Sequence, residues 1–409
     1  MEKPLLQIIH YTDMHLASVG YIDTRWELKR VYPHLSHEWQ QGWAGPQRAV
    51  LNDFIRLIED LKQGAPLDNS EGDPAWADRP TWLVDTGDGT TFGDLVSLQE
   101  WRDWSDSFEQ AAKPHGRLMR VYGNHDAWPG IFPPFEPNLQ LAMNIQRNML
   151  RKKHFPACWP EPPWTVSVPG TPTPGGAVPS QVELCVVNTV DHDVVLNTLA
   201  VGVAARDWHW ARPLSAWPDT PADDLATRAL AQPGGQYGRH LRIVAMHYPV
   251  ANDATPGSPR WQKVLANRKR FAQDLQGHRQ VKPLVAHLLL AGHTHMAFPG
   301  VGQLPPSASA ATHTPLVAGQ CQVVSASLSQ AILPGSPLKA NETWAESRAR
   351  LSPYQCTVLR FYSQDHDPFE IIMDRAIAGA DDTGIFSFLP LASGVCRRLN
   401  GWPSGCRRG

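Results

Sequence analysis

Five short polar clusters, each directly after an apolar run, hold the residues of this chain that are best suited to chemistry. They supply carboxylate oxygens, imidazole nitrogens and one amide oxygen, with no cysteine beside them. Mixed nitrogen and oxygen ligation of this kind suits zinc, manganese, iron or nickel better than calcium. The clusters are Asp13-Met14-His15, Gly87-Asp88, Gly123-Asn124-His125-Asp126, His247 and Gly292-His293-Thr294-His295.

These clusters offer more ligands than one ordinary transition-metal ion accepts, and the number suits two ions that share a bridging group. A carboxylate is a natural bridge, because its negative charge offsets the repulsion between two cations held about 3.5–4 Å apart. Asp88 is the best candidate for the bridge. The spacing of two residues in each of the pairs Asp13/His15 and His293/His295 lets both side chains point to one side. The sequence therefore predicts a site for two divalent metal ions.

The apolar run before each cluster is short and strand-like, so each cluster is expected where a buried strand ends. In open α/β sheets the loops at the carboxyl ends of the strands form the crevice that holds ligands. We therefore predict one convergent site. The runs are Leu5 to Ile9, Trp82 to Val84, Leu118 to Tyr122, Ile243 to Met246 and Leu288 to Ala291.

Glycines stand beside the ligands in three clusters. Gly87, Gly123 and Gly292 are expected to take backbone angles forbidden to other residues, which would let each strand turn sharply into the site. A single Asp or His after a strand is often only a turn or core residue, so the argument depends on the five clusters occurring together.

The remaining periodicity predicts helices outside the sheets and further strands after the last cluster. Residues 156–181 are rich in Pro, Gly, Ser and Thr and are expected to form an exposed loop. The predicted helices are Pro46 to Gln63, Glu100 to Ala112 and Leu139 to Lys152. The predicted strands are Val182 to Val190 and then Pro315 to Leu328, Gln355 to Tyr362 and Phe369 to Met373, the last three completing a second sheet.

Length and composition favour one large domain. The chain has 409 residues, and the clusters span most of it. We predict a catalytic domain over residues 1–375, with insertions at about 18–45, 156–181 and 191–240, and a C-terminal tail over 376–409. Pattern alone indicates an α/β fold with mixed sheets.

The charge pattern argues against a nucleic-acid partner. The formal net charge is −2 and no long basic run is present, so a small phosphate ester fits better as a substrate. We expect no membrane segment, because no apolar stretch approaches the length of a spanning helix. We expect no signal peptide, because the chain runs from Met1 through Lys3 and Pro4 into the first predicted strand, and the six cysteines show no C-x-x-C pairing. A reduced, cytoplasmic protein is expected.

The ordered blocks D-x-H, G-D, G-N-H-[DE], H and G-H-x-H resemble those of the calcineurin-like metallophosphoesterases over about residues 5–330. The resemblance implies two mixed β-sheets packed as a sandwich with flanking helices. It also implies that His125 is a catalytic histidine that binds no metal, and that Asp126 orients it. The implied ligands are Asp13, His15, Asp88 and His295 for one metal ion, and Asp88, Asn124, His247 and His293 for the second.

The expected activity is hydrolysis of a phosphate ester by a metal-bridging hydroxide, with Mn, Fe, Zn or Ni as the metal. The segment Met246-His247-Tyr248-Pro249 looks most like the branch that includes cyclic-nucleotide and glycerophosphodiester phosphodiesterases, so a small-molecule phosphodiesterase is the first hypothesis. Trp128 is a candidate pocket residue. A phosphomonoesterase or protein phosphatase is the alternative, although no arginine motif for a dianionic phosphate is evident. The further alternatives are a nuclease and then a non-catalytic metal-binding scaffold.

Overall fold

Eleven strands form two β-sheets in the part of the chain that the structure, a computed structural model, describes. The described residues are 2–16, 48–67, 72–90, 95–121, 123, 126, 164–167, 181–186, 240–249, 288–295, 297, 321–329, 354–364, 371–380 and 385–388. Several predictions lie outside these residues, namely the helix Leu139 to Lys152, the insertion at 18–45, most of the other two insertions, Asn124, His125 and Trp128.

The first sheet has six strands in the order β11-β10-β9-β1-β2-β3. Strands β1, β2 and β3 run parallel, so their carboxyl ends meet at one edge, whereas β9 pairs antiparallel with β1, β10 with β9 and β11 with β10. The strands are β1 (Glu2–Tyr11), β2 (Thr81–Asp85), β3 (Gly116–Arg120), β9 (Tyr354–Gln364), β10 (Ile371–Ala380) and β11 (Phe386–Phe388).

The second sheet has five strands in the order β4-β5-β6-β7-β8. Strands β5 to β8 are parallel, and β4 is antiparallel to β5. The strands are β4 (Trp164–Ser167), β5 (Gln181–Val186), β6 (His240–Ala245), β7 (Leu288–Ala291) and β8 (Cys321–Val324).

An apolar core lies between the two sheets. Ile8 and Val84 of the first sheet share one buried cluster with Leu184, Ile243 and Leu290 of the second. Alternate residues of a strand face opposite sides, so Ile8 can face the second sheet while its neighbour Ile9 faces away from it. Burying both faces requires apolar residues in succession, which explains the unbroken apolar runs before the polar clusters.

Two helices cover the other face of the first sheet. Helix α1 (Arg48–Lys62) buries six apolar residues at helical spacing, and helix α2 (Leu95–Ala112) packs on α1 and on β2 and β3. Between them lies a short 3-10 helix, Pro74–Trp76. Phe54 of α1 and Phe108 of α2 pack edge to face, with ring centroids 4.9 Å apart, and both contact Tyr11 of β1.

The predicted fold class, a sandwich of two mixed sheets with flanking helices, is confirmed, but three details are wrong. Trp164–Ser167 forms a strand inside the segment predicted as a loop, because it pairs with β5. The three strands after the last cluster were predicted to complete the second sheet, but only β8 lies there. Strands β9 and β10 belong to the first sheet, where β9 pairs with β1. Strand β10 also continues to Ala380 and β11 follows, so part of the predicted tail belongs to the first sheet.

Candidate metal centre

Where the structure describes them, the polar clusters lie at the carboxyl ends of strands from both sheets, as predicted. Asp13 and Asp88 follow β1 and β2, and His247 and His293 follow β6 and β7. Backbone hydrogen bonds join neighbouring loops: the amide of Asp13 donates to the Gly87 carbonyl at 2.8 Å, and the Gly292 amide donates to the His247 carbonyl at 3.0 Å. These bonds extend the strand pairing of each sheet past the strand ends. The His293 amide donates to Asp13 Oδ2 at 2.9 Å and so joins a loop of the second sheet to one of the first.

Four side chains form the first ligand group, which comprises Asp13, His15, Asp88 and His295. One ligand atom from each lies within 4.8 Å of the others, and all four residues are buried. The Nε2 atoms of His15 and His295 are 3.1 Å apart, and His295 Nε2 lies 3.3 Å from Asp13 Oδ1. Two nitrogens that bind one ion at about 2.1 Å are separated by roughly 3.0–3.4 Å, so these rings already have the spacing of ligands to one metal.

Asp88, His247 and His293 form the second ligand group, and their ligand atoms also lie within 4.8 Å of one another. His247 Nε2 is 3.4 Å from Asp88 Oδ2. Asp88 is common to both groups, which is the arrangement a bridging carboxylate requires. The structure therefore brings together six of the seven predicted ligands, and the seventh, Asn124, lies outside the described residues.

Hydrogen bonds orient individual ligand atoms toward the centre. His247 Nδ1 donates to the Thr86 carbonyl at 2.8 Å, which turns Nε2 toward Asp88. Asp13 Oδ2 accepts the backbone amide of His293 at 2.9 Å, whereas Asp13 Oδ1 is buried and accepts no hydrogen bond from the residues that the structure describes. A buried carboxylate oxygen in this position fits a metal ligand, since buried polar atoms are otherwise hydrogen-bonded.

The backbone at the centre is unusual. In the described part of the chain, the non-glycine residues with positive φ all belong to the predicted ligand set. Such angles are uncommon outside glycine, and they concentrate at functional sites where the surrounding structure holds them. The five residues and their φ angles are Asp13 (54°), His15 (48°), Asp88 (53°), His293 (70°) and His295 (57°).

The glycines of the clusters serve two purposes. Gly87 has a φ of 99°, as predicted. Gly292 has no positive φ, so the predicted backbone freedom is not used there. Gly123 and Gly292 also allow close approach: a Cβ on Gly123 would lie 2.0 Å from Asp88 Oδ1, and a Cβ on Gly292 would lie 1.9 Å from Thr12 Oγ1.

The electrostatics of the centre match those of a cation site. Burial, and then the charge of Asp88, raise the pKa of Asp13 to about 7. Burial lowers the pKa of His247, but Asp88 and Asp13 outweigh it and raise this pKa to about 9. The raised pKa of His247, and the contribution of Asp88 to that of Asp13, reflect a concentration of negative charge that a divalent cation would neutralise. The oxygen and nitrogen donors of the centre fit a divalent transition metal.

Asp126 connects two loops of the centre. It is fully buried, and its Oδ1 accepts the Thr90 amide at 2.8 Å and the Thr90 hydroxyl at 3.0 Å. Its Oδ2 accepts the amides of Gly123 at 2.9 Å and Gly89 at 3.3 Å. These four bonds match the acceptor capacity of a carboxylate. The predicted orientation of His125 by Asp126 involves a residue outside the described part of the chain and stays a prediction.

Several residues that support the centre were not predicted from the sequence. Asp85 at the end of β2 is buried; its Oδ1 accepts the Gly87 amide at 2.9 Å and its Oδ2 accepts the indole N–H of Trp101 at 2.7 Å. Burial raises the pKa of Asp85 to about 8. Ser327 donates to the Asp13 carbonyl at 2.8 Å. The one available signal was the acidic residue that ends an otherwise apolar run, Thr81 to Asp85.

A family model described as calcineurin-like phosphoesterase matches residues 6–297. None of the curated proteins matches the chain in sequence. Among solved structures, the chain is similar to GAP50, described as the anchor in the inner membrane complex of Plasmodium, at 10% identity and a TM-score of 0.39, covering 97% of this chain and 90% of that one.

No helix in the described part of the chain has both the length and the apolar character to cross a bilayer.

Proposed function

The chain belongs to the calcineurin-like phosphoesterase family, and we propose that it is a two-metal phosphodiesterase that acts on a small phosphate ester. The observation that carries the proposal is the pair of ligand groups that share Asp88. Two adjacent metal ions with a common carboxylate are suited to in-line displacement at phosphorus.

The residues of the centre divide into metal ligands and a proton donor. Asp13, His15, Asp88 and His295 would hold one ion, and Asp88, Asn124, His247 and His293 the other. When bound, such ions lower the pKa of water toward neutrality and neutralise charge on the phosphoryl oxygens.

The protein supplies orientation and a proton. The Thr86 carbonyl fixes the tautomer of His247, and the His293 amide fixes one oxygen of Asp13. In the proposed mechanism His125 donates a proton to the leaving oxygen. Asp126 accepts the amides of Gly123 and Gly89, and so holds the loop that begins at Gly123 against the loop that carries Asp88.

Preference for a diester follows from charge and from the resemblance of the His247 segment to phosphodiesterases. A diester carries one negative charge at neutral pH, so it needs fewer cationic side chains than a monoester dianion. A net charge of −2 also disfavours a long polyanion such as nucleic acid. We assign the catalytic domain to residues 1–388, because β10 and β11 complete the first sheet beyond the predicted boundary at 375.

The test is the initial rate of the manganese-loaded protein on bis(p-nitrophenyl) phosphate and on p-nitrophenyl phosphate. We expect faster, chelator-sensitive cleavage of the diester, and loss of both activity and metal binding in Asp88→Asn. Preference for the monoester would replace the proposal with a phosphomonoesterase. No cleavage of either ester by fully metal-loaded protein would favour a selective nuclease or a scaffold.

His125→Ala separates catalysis from metal binding. We expect turnover to fall by about 10²–10⁴-fold, the usual contribution of a positioned acid or base, while the metal content stays close to that of the wild type. Metal content is measured by elemental analysis after gel filtration. A variant that loses its metal would show that His125 is a ligand.

A further inference from the structure

Trp101 of helix α2 contacts the loop that carries Asp88. The indole N–H donates to Asp85 Oδ2 at 2.7 Å, and a Cβ on Gly89 would lie 2.1 Å from the indole ring. Trp101 and Asp85 are both fully buried. The indole therefore holds the loop at two points, one on each side of Asp88 in sequence.

Asp85 links Trp101 to the backbone of the loop. Its second oxygen accepts the Gly87 amide at 2.9 Å, and Gly87 and Asp88 have φ angles of 99° and 53°. A residue with a side chain keeps such an angle only when its surroundings determine it. Trp101, Asp85 and Gly87 are thus joined by a continuous series of hydrogen bonds and packing contacts that leads to the backbone of Asp88.

The loop is also held by Asp126, in a contact that does not involve Trp101. Asp126 accepts the amides of Gly89 and Thr90, so loss of the Trp101 contact leaves the loop attached by a second carboxylate. Removal of the indole hydrogen bond is therefore expected to shift Asp88 without releasing the whole loop.

We propose that Trp101 and Asp85 are positioning residues that orient Asp88 between the two ligand groups, so that helix α2 sets the metal affinity of the centre. The inference rests on the proposed two-metal function. Partners of metal ligands typically change metal affinity or activity by about 10–100-fold when they are replaced. Trp101 acts one step further away, through Asp85 and the backbone, and touches neither metal nor substrate.

The test compares Trp101→Phe with Trp104→Phe. Trp104 lies on the same helix, is partly buried and packs against Phe108. For Trp101→Phe we expect manganese affinity, measured by titration calorimetry, to fall about tenfold, and kcat to fall with little change in KM. Trp104→Phe is expected to match the wild type in metal affinity. Equal affinities of the two variants would overturn the proposal.

Asp85→Asn supplies a second variant that keeps the shape of the side chain. Whichever way the amide is turned, its NH2 group faces an N–H donor, from either Gly87 or Trp101. If the two side chains act together, the double variant with Asp85→Asn and Trp101→Phe loses less manganese-binding free energy than the sum of the losses in the two single variants. Independent, additive losses would contradict coupling through this hydrogen bond.

Thermal unfolding of the metal-free variants separates positioning from general destabilisation. We expect manganese affinity to fall in Trp101→Phe even at temperatures where the variant is fully folded. Asp88→Asn serves as the reference for the centre itself: if it binds manganese as well as the wild type, the proposed metal site fails. If Asp88→Asn loses the metal and Trp101→Phe does not, only the positioning role fails.

Discussion

At the scale of single residues, the ligands themselves carry the unfavourable backbone angles. Each non-glycine residue in a sparsely populated region costs about 1–3 kcal/mol, so five of them are kept only because neighbouring groups determine their conformation. The amide of His15, for example, donates to the Asp88 carbonyl at 2.9 Å. Tight left-handed turns direct short side chains such as Asp13 and Asp88 toward a common point.

Gly292→Ala is expected to disrupt the first ligand group. The new methyl group would lie 1.9 Å from Thr12 Oγ1 and 2.9 Å from Asp13 Oδ2, so Thr12 must move and Asp13 is crowded on the side of this oxygen. We expect a loss of metal affinity of at least about tenfold, measured by manganese titration. Thr12→Ala, which removes the nearest atom, should restore part of the affinity when combined with Gly292→Ala. No loss in the single variant would contradict the close approach.

His10 provides a test of pH dependence. Burial, and then the charge of Arg375, lower the pKa of His10 to about 3. The folded pKa lies below the unfolded value of about 6.5, so the unfolded chain binds a proton that the folded chain does not. His10 therefore contributes stability at neutral pH that is lost as the pH falls from about 6.5 toward 3.

The matched variant is His10→Gln, which cannot become charged. Between pH 6 and 4 we expect the wild type to lose about 1 kcal/mol of unfolding free energy per pH unit relative to the variant, as measured by urea unfolding in chelator. Buried carboxyl groups with raised pKa values change stability in the opposite direction, but they are common to both proteins and cancel in the difference. Parallel pH profiles would show that His10 is charged in the folded protein.

At the scale of secondary structure, the positions of strand ends were predictable and strand partners were not. A polar cluster after an apolar run identifies the end of a buried strand, and Asp13 and His293 lie where this rule puts them. Strand β9 has an equally clear pattern, but nothing in that pattern indicates pairing with β1 across the 353 residues that separate Arg360 from Gln7. Pairing at this distance depends on how the complete chain packs.

The supporting residues were hidden for a related reason. Trp101 is one of sixteen tryptophans, and in sequence it is an ordinary apolar position of a helix. Its contact with Asp85 exists only once α2 packs on β2. Residues that bind metal directly carry a chemical signature in their type and spacing, whereas residues that position them are identified by three-dimensional proximity.

Phe54→Ala tests the packing of α1 against α2. The ring is fully buried and contacts Tyr11 and Phe108, so its removal leaves a cavity between the helices and the sheet. We expect a loss of about 3–5 kcal/mol in unfolding free energy by urea titration. Ile385→Ala, at a position 57% exposed, should change stability by less than about 0.5 kcal/mol. Equal effects of the two substitutions would contradict this packing.

At the scale of the whole molecule, the candidate centre connects the two sheets. Asp13, His15 and Asp88 follow strands of the first sheet, and His247, His293 and His295 follow strands of the second. Each ligand group contains residues from both. A metal ion bound to either group would therefore link the sheets directly, in addition to the apolar core between them.

Metal binding should accordingly stabilise the folded chain as a unit. Manganese at 100 times its dissociation constant is expected to add about 2.7 kcal/mol per site to the unfolding free energy, which raises the melting temperature in a thermal scan. Chelator should reverse the increase, and Asp88→Asn should show little or none. A rise of equal size in Asp88→Asn would mean that the metal stabilises the protein elsewhere.

The span of the first ligand group along the chain also bears on biosynthesis. His15 and His295 lie 280 residues apart, so at about 5–20 residues per second a ribosome makes the second roughly 14–56 s after the first. Until strand β7 and the loop after it have been made, the first ligand group lacks His295 and the second lacks His293. The complete centre therefore cannot form early in synthesis, and complete metal binding follows the synthesis of β7 rather than initiating folding.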